Sequence, residues 1–306
     1  MFALRRCPKH GLPGLCRLYT ISTALHDAVD RLPHKEALRS VKQDVQWSYT
    51  ELQSRVDELA NGFLDLGFQP KDTLALWLQP HSIENIVTQL AAARAGLTLA
   101  VMEPQIARAQ DVALILQDSH ASGIMFEPIQ HGRNQMEVIQ GLFPELATFR
   151  EEMKVFRPKA FRHLHSVITT SWEPVEGMIN LSGMMVNSPE PYAMKTVAKT
   201  LDEKTPFAVV YSNVEGQNPK KSAVLTHGDV LKRAETLAKS LKLTATDKIL
   251  LTGEQTGLSL GPFAAISQNA QIVLPSTEFS EDALHEAIEV EHCSVVGSGL
   301  DNFKRV

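Results

Sequence analysis

Short apolar runs of strand length alternate with stretches of helical periodicity along most of this chain, and that alternation limits its fold more than any other feature. The segments 73-TLALWL-78, 97-LTLAVM-102, 122-SGIMF-126, 207-FAVVY-211, 248-KILLT-252, 271-QIVLP-275 and 293-CSVVG-297 each read as a strand apolar on both faces. Between them, Leu52, Val56, Leu59, Ala60 and Phe63 recur at helical spacing, with Gly67 just past the last turn. Ile83, Ile86, Val87 and Leu90 repeat the pattern over about 82–95, and further helices are expected over about 110–117, 228–241 and 281–289. Doubly apolar strands separated by such helices predict an α/β fold, with mostly parallel sheets flanked by helices. The first periodic helix is expected to begin at Thr50, with Gln53 completing a capping box. Residues 128–204 are less regular; they hold 165-HSVIT-169 and the Met-rich 178-MINLSGMM-185, read as gap-filling core.

The chain's 306 residues, 43% hydrophobic and 21% charged, are enough for one large domain or two smaller ones around a sizeable core. Cys7, Cys16 and Cys293 form no C-x-x-C pair, and the histidines show no metal-ligand spacing, so neither a metal site nor a disulfide framework is expected. No apolar run approaches the length needed to span a bilayer. A net charge of −5 argues against a nucleic-acid-binding face. The acidic Glu281, Asp282, Glu286, Glu289 and Glu291 are read as a solvated helix face, and the basic stretch 154-KVFRPKAFRHLH-165 as a solvated loop or helix face, the other reading being a contact with an anionic partner.

The amino-terminal end differs from the rest. Residues 1–19 carry Arg5, Arg6, Lys9 and Arg17 and no acidic residue, the composition of a mitochondrial transit peptide, with cleavage expected after Tyr19. Its loss would make the remainder more acidic still. The other reading is a retained basic tail that binds an acidic partner, favoured by Pro8, Gly11, Pro13 and Gly14, which interrupt a helix.

One loop carries a chemical question. In 211-YSNVEGQNPKKSAVLTH-227 a strand runs into a loop with Gly216 and Pro219, then into paired lysines and a second strand. That layout often cradles a nucleotide phosphate through backbone N–H groups. Together with 48-SYTELQSRVDELANGFLDLGFQPKDTLALWLQPHSIENIVTQLAAARAGLTLAVMEP-104 and the tail through 297-GSGLDNFKRV-306, it resembles the acyl-CoA synthetase group of AMP-forming ligases, colinearly over about residues 24–306, the medium-chain type being nearest. The resemblance implies the N-terminal-domain portion of an adenylate-forming ligase. Residues 20–306 would form two α/β subdomains, the second starting about residue 205. Such ligases activate a carboxylic acid with ATP and pass the acyl group to coenzyme A.

The departures from the family pattern matter more than the matches. Tyr211, Pro219, Lys220, Thr226 and His227 fit the family's phosphate-loop pattern, and Ser212 stands for its Thr. Asn213, Val214 and Glu215 replace Ser, Gly and Thr; Gly216 is one place off; Lys221 and Ser222 fill the place of one Gly. A β-branched residue and a carboxylate oppose a phosphate there: at an effective dielectric near 20, a like-charge contact costs roughly 4 kcal/mol before screening. Glu254 likewise sits in the turn where the resemblance puts the acyl group. The β-barrel, the magnesium- and ribose-binding blocks and the C-terminal domain with its catalytic lysine are expected to be lacking after Val306. The set Tyr211, Ser212, Gly216, Pro219, Lys220, Lys221, Thr226 and His227 is therefore read as a vestigial, inactive phosphate loop, with no catalytic residue, metal or cofactor. Thr226 and His227 are expected to cap the following helix and pack the loop. The expectation is a pseudoenzyme acting as an accessory or structural subunit of a mitochondrial complex, at the matrix or the matrix side of the inner membrane. Its partners would be protein subunits of ATP synthase, a respiratory complex or the mitoribosome, with any membrane association peripheral and through the complex. The alternative is an acyl-CoA- or ATP-binding protein or a residual ligase.

Overall fold

The computed structural model describes residues 19–41, 43–103, 105–130, 132–149, 156–185, 191–213, 217–252, 257–275, 281–300 and 302–306. The leader up to residue 18 therefore lies outside the described residues, as do Val214, Glu215, Gly216 and Glu254. In chain order the elements begin with α1 (Ile21–Arg31), β1 (Glu36–Ser40), β2 (Val45–Ser48), α2 (Tyr49–Asp65), β3 (Thr73–Trp77), α3 (Ile83–Ala95), β4 (Thr98–Met102) and α4 (Ala109–Asp118). Next come β5 (Gly123–Phe126), β6 (Ile129–Gln130), β7 (Arg133–Asn134), α5 (Gln135–Leu142), β8 (Ser166–Thr169), β9 (Ile179–Asn180) and α6 (Pro191–Ala198). The last part holds β10 (Pro206–Ser212), β11 (Lys220–Thr226), α7 (His227–Ser240), β12 (Lys248–Leu251), α8 (Gly261–Gln268), β13 (Gln271–Leu274), α9 (Glu281–Glu291), β14 (Val295–Ser298) and β15 (Asn302–Arg305).

The strands form two large sheets and a small ribbon, β6–β7. One sheet runs β11-β10-β4-β3-β5-β8-β9 and is parallel except at the β10–β11 hairpin. The other runs β15-β14-β12-β13-β1-β2, with a parallel centre and an antiparallel strand at each edge. Among the described residues no sheet closes into a barrel. The sheets interleave along the chain: β1 and β2 join the later strands, while β10 and β11 join the earlier ones. A change of sheet thus falls after β11.

Alternation within each strand sets the layers. Leu74, Leu76, Leu99 and Val101 face one core; Ala75, Trp77, Ala100 and Met102 face another beneath α4 and α5. The first core also takes Ile249, Leu251, Ile272 and Leu274 from the second sheet, so one layer of helices is shared between the sheets. Leu250, Val273 and Val296 point the other way, against α9. The fully buried Trp77 satisfies its ring N–H on the carbonyl of Ile106 at 3.1 Å. Gly62, inside α2, allows the closest approach: a Cβ there would lie 2.1 Å from the carbonyl oxygen of Met184. Met184 is accordingly in the first core, with Met185 packed partly buried against it, while Met178 packs partly buried against the second.

Two local expectations change. The capping box of α2 is Ser48 with Glu51, not Thr50 with Gln53. The Ser48 backbone N–H and hydroxyl both donate to Glu51 Oε2 at 2.7 Å, so the box lies two residues earlier than the periodicity alone implies. Glu291 is not solvated surface, because Arg39 of β1 at 3.4 Å and Lys248 of β12 at 3.6 Å hold its carboxylate against the sheet. After Ser298 the chain turns back as β15, antiparallel to β14.

Arg305 locks β15 in place. Its guanidinium meets both oxygens of Asp247, at 3.0 and 3.1 Å, and donates to the carbonyls of Leu241 at 2.7 Å and Lys242 at 3.1 Å. Burial pulls the Asp247 carboxyl up, but hydrogen bonds from Arg305, Ser294 and Thr244 outweigh it and hold it at about 2. Removing the fork leaves a buried carboxylate short of donors. Arg305→Ala is expected to lower the unfolding free energy by about 2 kcal/mol. Arg305→Lys should recover less than half of that, because an ammonium makes no planar fork. Urea titration of the two variants checks both.

Candidate functional site

The β10–β11 hairpin places the first half of the motif. Tyr211 pairs with Lys221 and Ser212 with Lys220, while Val210 pairs with Ala223. Ser222 is therefore an unpaired extra residue, a β-bulge whose Oγ donates to the Val210 carbonyl at 3.2 Å. The residue counted as surplus against the family pattern is absorbed in the strand rather than in the loop.

The bulge carries Lys221 to the Tyr211 side of the ribbon. Lys221 Nζ lies 3.0 Å from Asp118 Oδ2 at the end of α4, and the Tyr211 hydroxyl donates to the same oxygen at 2.6 Å. The Tyr211 hydroxyl, then Lys221, hold Asp118 below the usual carboxylate range; burial and the Asp118 bond push the Tyr211 phenol up. Lys220 donates to the Gln217 side chain at 3.1 Å. Pro219 is half-buried just before β11.

The base of the loop is tied down by carboxylates that the motif reading did not include. Asn213 Nδ2 donates to Asp111 Oδ2 at 2.9 Å, and the Asn213 backbone N–H donates to the carboxylate of Glu103. Asp111 is fully buried in the first turn of α4, where Arg108 grips both its oxygens at 2.7 and 2.8 Å and also reaches the Gln217 carbonyl at 3.1 Å. Burial raises Glu103 above its usual range, opposed by the Asn213 N–H. Arg108-x-x-Asp111 is a visible i,i+3 pair in the sequence, but its contact with residue 213 spans about a hundred positions and leaves no local signal.

The second half of the motif is elsewhere. Thr226 ends β11 and His227 follows it, roughly 20 Å from Lys220 at strand rise. The Thr226 hydroxyl accepts from the Asp229 N–H at 3.1 Å, and Asp229 answers to the Thr226 N–H at 3.0 Å, a complete capping box for α7. His227 is fully buried. Its Nδ1 accepts the Ile21 N–H that opens α1 at 3.3 Å, and its ring packs on Phe207 with centroids 5.5 Å apart. Its Nε2 is buried without a partner, and burial pushes the imidazole down to about 4.

The turn after β12 is sealed at its end. The Gly257 carbonyl accepts from Asn85 at 3.3 Å and Gln89 at 3.1 Å, both from α3. A Cβ at Gly257 would meet Val101 Cγ1 at 2.6 Å and the Met102 carbonyl oxygen at 2.8 Å. Asn85 and Gln89 were legible only as polar interruptions, four apart, within an apolar helix. Under α1 to α3, a cavity bordered by Gln53, Leu90 and Arg94 encloses about 10 Å³, room for a water and not for an adenylate. Among the described residues no group of three or more His, Cys, Asp or Glu is placed to hold a metal ion.

Two parallel-centred sheets sharing a helical layer, with a Pro-Lys hairpin loop at a strand end, define the class. Residues 25–298 match the model of the AMP-binding enzyme family, and the chain belongs to that family. Among its relatives, the medium-chain acyl-CoA ligase ACSF2, mitochondrial, of Rattus norvegicus is 22% identical over 287 residues, which are 89% of this chain and 45% of that protein. The chain spans about half the length of the curated relatives it matches. Among solved structures, the fold matches Mycobacterium smegmatis MbtA with a TM-score of 0.70 at 20% identity, covering 92% of this chain and 48% of that one. The N-terminal domain of FACL13 from Mycobacterium tuberculosis matches at 0.62 and 15% identity, covering 92% and 62%. The fold is that of the N-terminal portion of acyl-CoA ligases.

His227 gives the site a pH signature. Its pKa falls from about 6.5 unfolded to about 4 folded, so the neutral ring's contribution is complete above pH 6.5 and is lost as pH drops from there toward 4. Between pH 7 and pH 5 this should cost about 2 kcal/mol of stability. Denaturant midpoints at the two pH values should show the drop in the native chain, and a smaller one in His227→Gln.

Proposed function

We propose that this chain is a non-catalytic member of the AMP-binding family that serves as an accessory or structural subunit of a mitochondrial assembly. One observation carries the non-catalytic part. The donors a phosphate loop would turn toward its ligand are already given to the protein's own carboxylates, Asn213 to Glu103 and Asp111, and Lys221 to Asp118. A triphosphate entering there would have to displace these bonds and approach partly buried negative charge, which the low local dielectric penalises. Val214 and Glu215, where the family pattern has Gly and Thr, add to the same obstacle.

The mitochondrial part rests on the composition of residues 1–19 and on the mitochondrial ligase ACSF2 among the relatives. ATP synthase, a respiratory complex and the mitoribosome are the hosts considered, on the matrix side of the inner membrane or in the matrix. No helix among the described residues is long and apolar enough to cross a membrane, so contact with the bilayer would run through partner subunits.

The second reading, an acyl-CoA- or ATP-binding protein or residual ligase, is favoured by Pro219 and Lys220, which keep their places in the motif, and by the family itself. Calorimetry separates the two. Titration with ATP–Mg, and with a medium-chain acyl-adenylate analogue, should give no saturable heat, meaning a Kd weaker than about 1 mM, or roughly −4 kcal/mol. Micromolar binding of either would falsify the non-catalytic reading. The accessory role has its own check: on native gels of solubilised mitochondria the endogenous chain should migrate in a large complex, and migration as a free monomer would end that part of the proposal.

A further inference from the structure

The irregular segment 156–165, which leads into β8, sorts its residues by chemistry. Phe156, Phe161 and Leu164 are buried. The Phe156 ring meets Phe149 and Phe143 at 5.3 and 6.2 Å, and Phe161 meets Phe143 at 5.3 Å. With the apolar side chains anchored inward, Arg157, Lys159, Arg162 and His163 are all exposed. The His163 ring sits 5.2 Å from that of the exposed His120, extending the same surface toward the start of β5. Among the described residues no carboxylate forms an ion pair with Arg157, Lys159 or Arg162. The nearby Glu145 is engaged by the Lys159 backbone N–H at 3.1 Å.

This cationic surface is remote from the phosphate-loop position. The His165 N–H donates to the Ser122 carbonyl, and the Ser122 N–H to Thr73, both at 2.8 Å, which fixes the segment at the N-terminal edge of the parallel strands. The loop after β10 lies at their C-terminal edge. Three unpaired cations within six residues of sequence, on a chain of net charge −5, repel one another, and an anionic partner would relieve that repulsion.

We propose that Arg157, Lys159 and Arg162 form the docking surface for an acidic segment of a partner protein. Guanidinium forks match carboxylates bidentately, which selects a Glu/Asp-rich peptide. An anionic bilayer is the poorer fit. The segment turns its aromatic side chains inward and offers nothing to insert, and its cations would add only about 1 kcal/mol each against an acidic body. The inference stands apart from the accessory-subunit reading, since an active ligase could carry the same surface.

The test uses the full chain and a fluorescein-labelled Glu-rich peptide at low salt, read by anisotropy. The native chain should bind saturably, and more weakly as salt rises. Arg157→Glu/Arg162→Glu should lose affinity by about tenfold or more, with an unchanged melting temperature because both side chains are exposed. Lys232→Glu/Arg233→Glu on α7, an equal charge change at another exposed site, should bind like the native chain. Equal loss in both variants would reduce the effect to net charge and overturn the proposal. So would cosedimentation with phosphatidylcholine–phosphatidylserine vesicles in the absence of peptide binding.

Discussion

Everything in this fold hangs on one helical layer that has to be dry on both sides. α3 lies in that layer, and all but two of its residues are buried, including Asn85, Thr88 and Gln89. A helix so placed has no solvent face, so its polar side chains must find partners inside. Asn85 and Gln89 find them on the backbone of Gly257, and Thr88 on the sulfur of Met125. The same layer is closed by α1, fastened at its start by His227 and at its end by Arg31, whose Nε donates to Asn269 at 2.7 Å. Tyr49, at the head of α2, reaches the Ala270 carbonyl at 2.7 Å and so joins the helices to β13. Burial of these aromatic and aliphatic groups supplies the energy, and the buried hydrogen bonds determine which arrangement is adopted.

The hairpin after β10 shows how one surplus residue propagates. A bulge at Ser222 keeps the ladder intact on both sides and redirects Lys221 to Asp118. Asn213, a longer side chain than the Ser of the family pattern, then spans from the loop to the buried Asp111. The result is a loop base braced by charge pairs within the protein, at the C-terminal edge of the parallel strands. The Thr-His pair matches the same motif for a different reason: Thr226 starts a helix and His227 ties that helix to α1.

The sheet strands were legible because doubly apolar runs admit few other structures, and α2, α3 and α7 because their periodicity is long. Ser48 with Glu51 was missed although the box is plain in sequence, since the apolar stripe begins later than the cap. Glu291 looked solvated because helical spacing places it with other acids; only the approach of β1 and β12 brings Arg39 and Lys248 to it. In the candidate site, Tyr211, Ser212, Lys220 and Lys221 were legible as a group. Glu103, Arg108, Asp111 and Asp118 were not, because they come from the β4–α4 unit about a hundred residues earlier. Nothing in the local pattern says which helix will settle beside a loop.

By itself, then, the sequence determined the α/β class, the apolar strands β3, β4, β5, β10, β12, β13 and β14 with α2, α3 and α7 among them, the family resemblance and the loss of small residues at the phosphate loop. Those are properties of local periodicity and local chemistry. The tertiary structure decided that β10 and β11 complete the first sheet, that Lys221 turns to Asp118, and that Asn213 spends its donors on Glu103 and Asp111. These follow from parallel pairing between distant strands, which places side chains beside each other according to register and not according to their order in the chain.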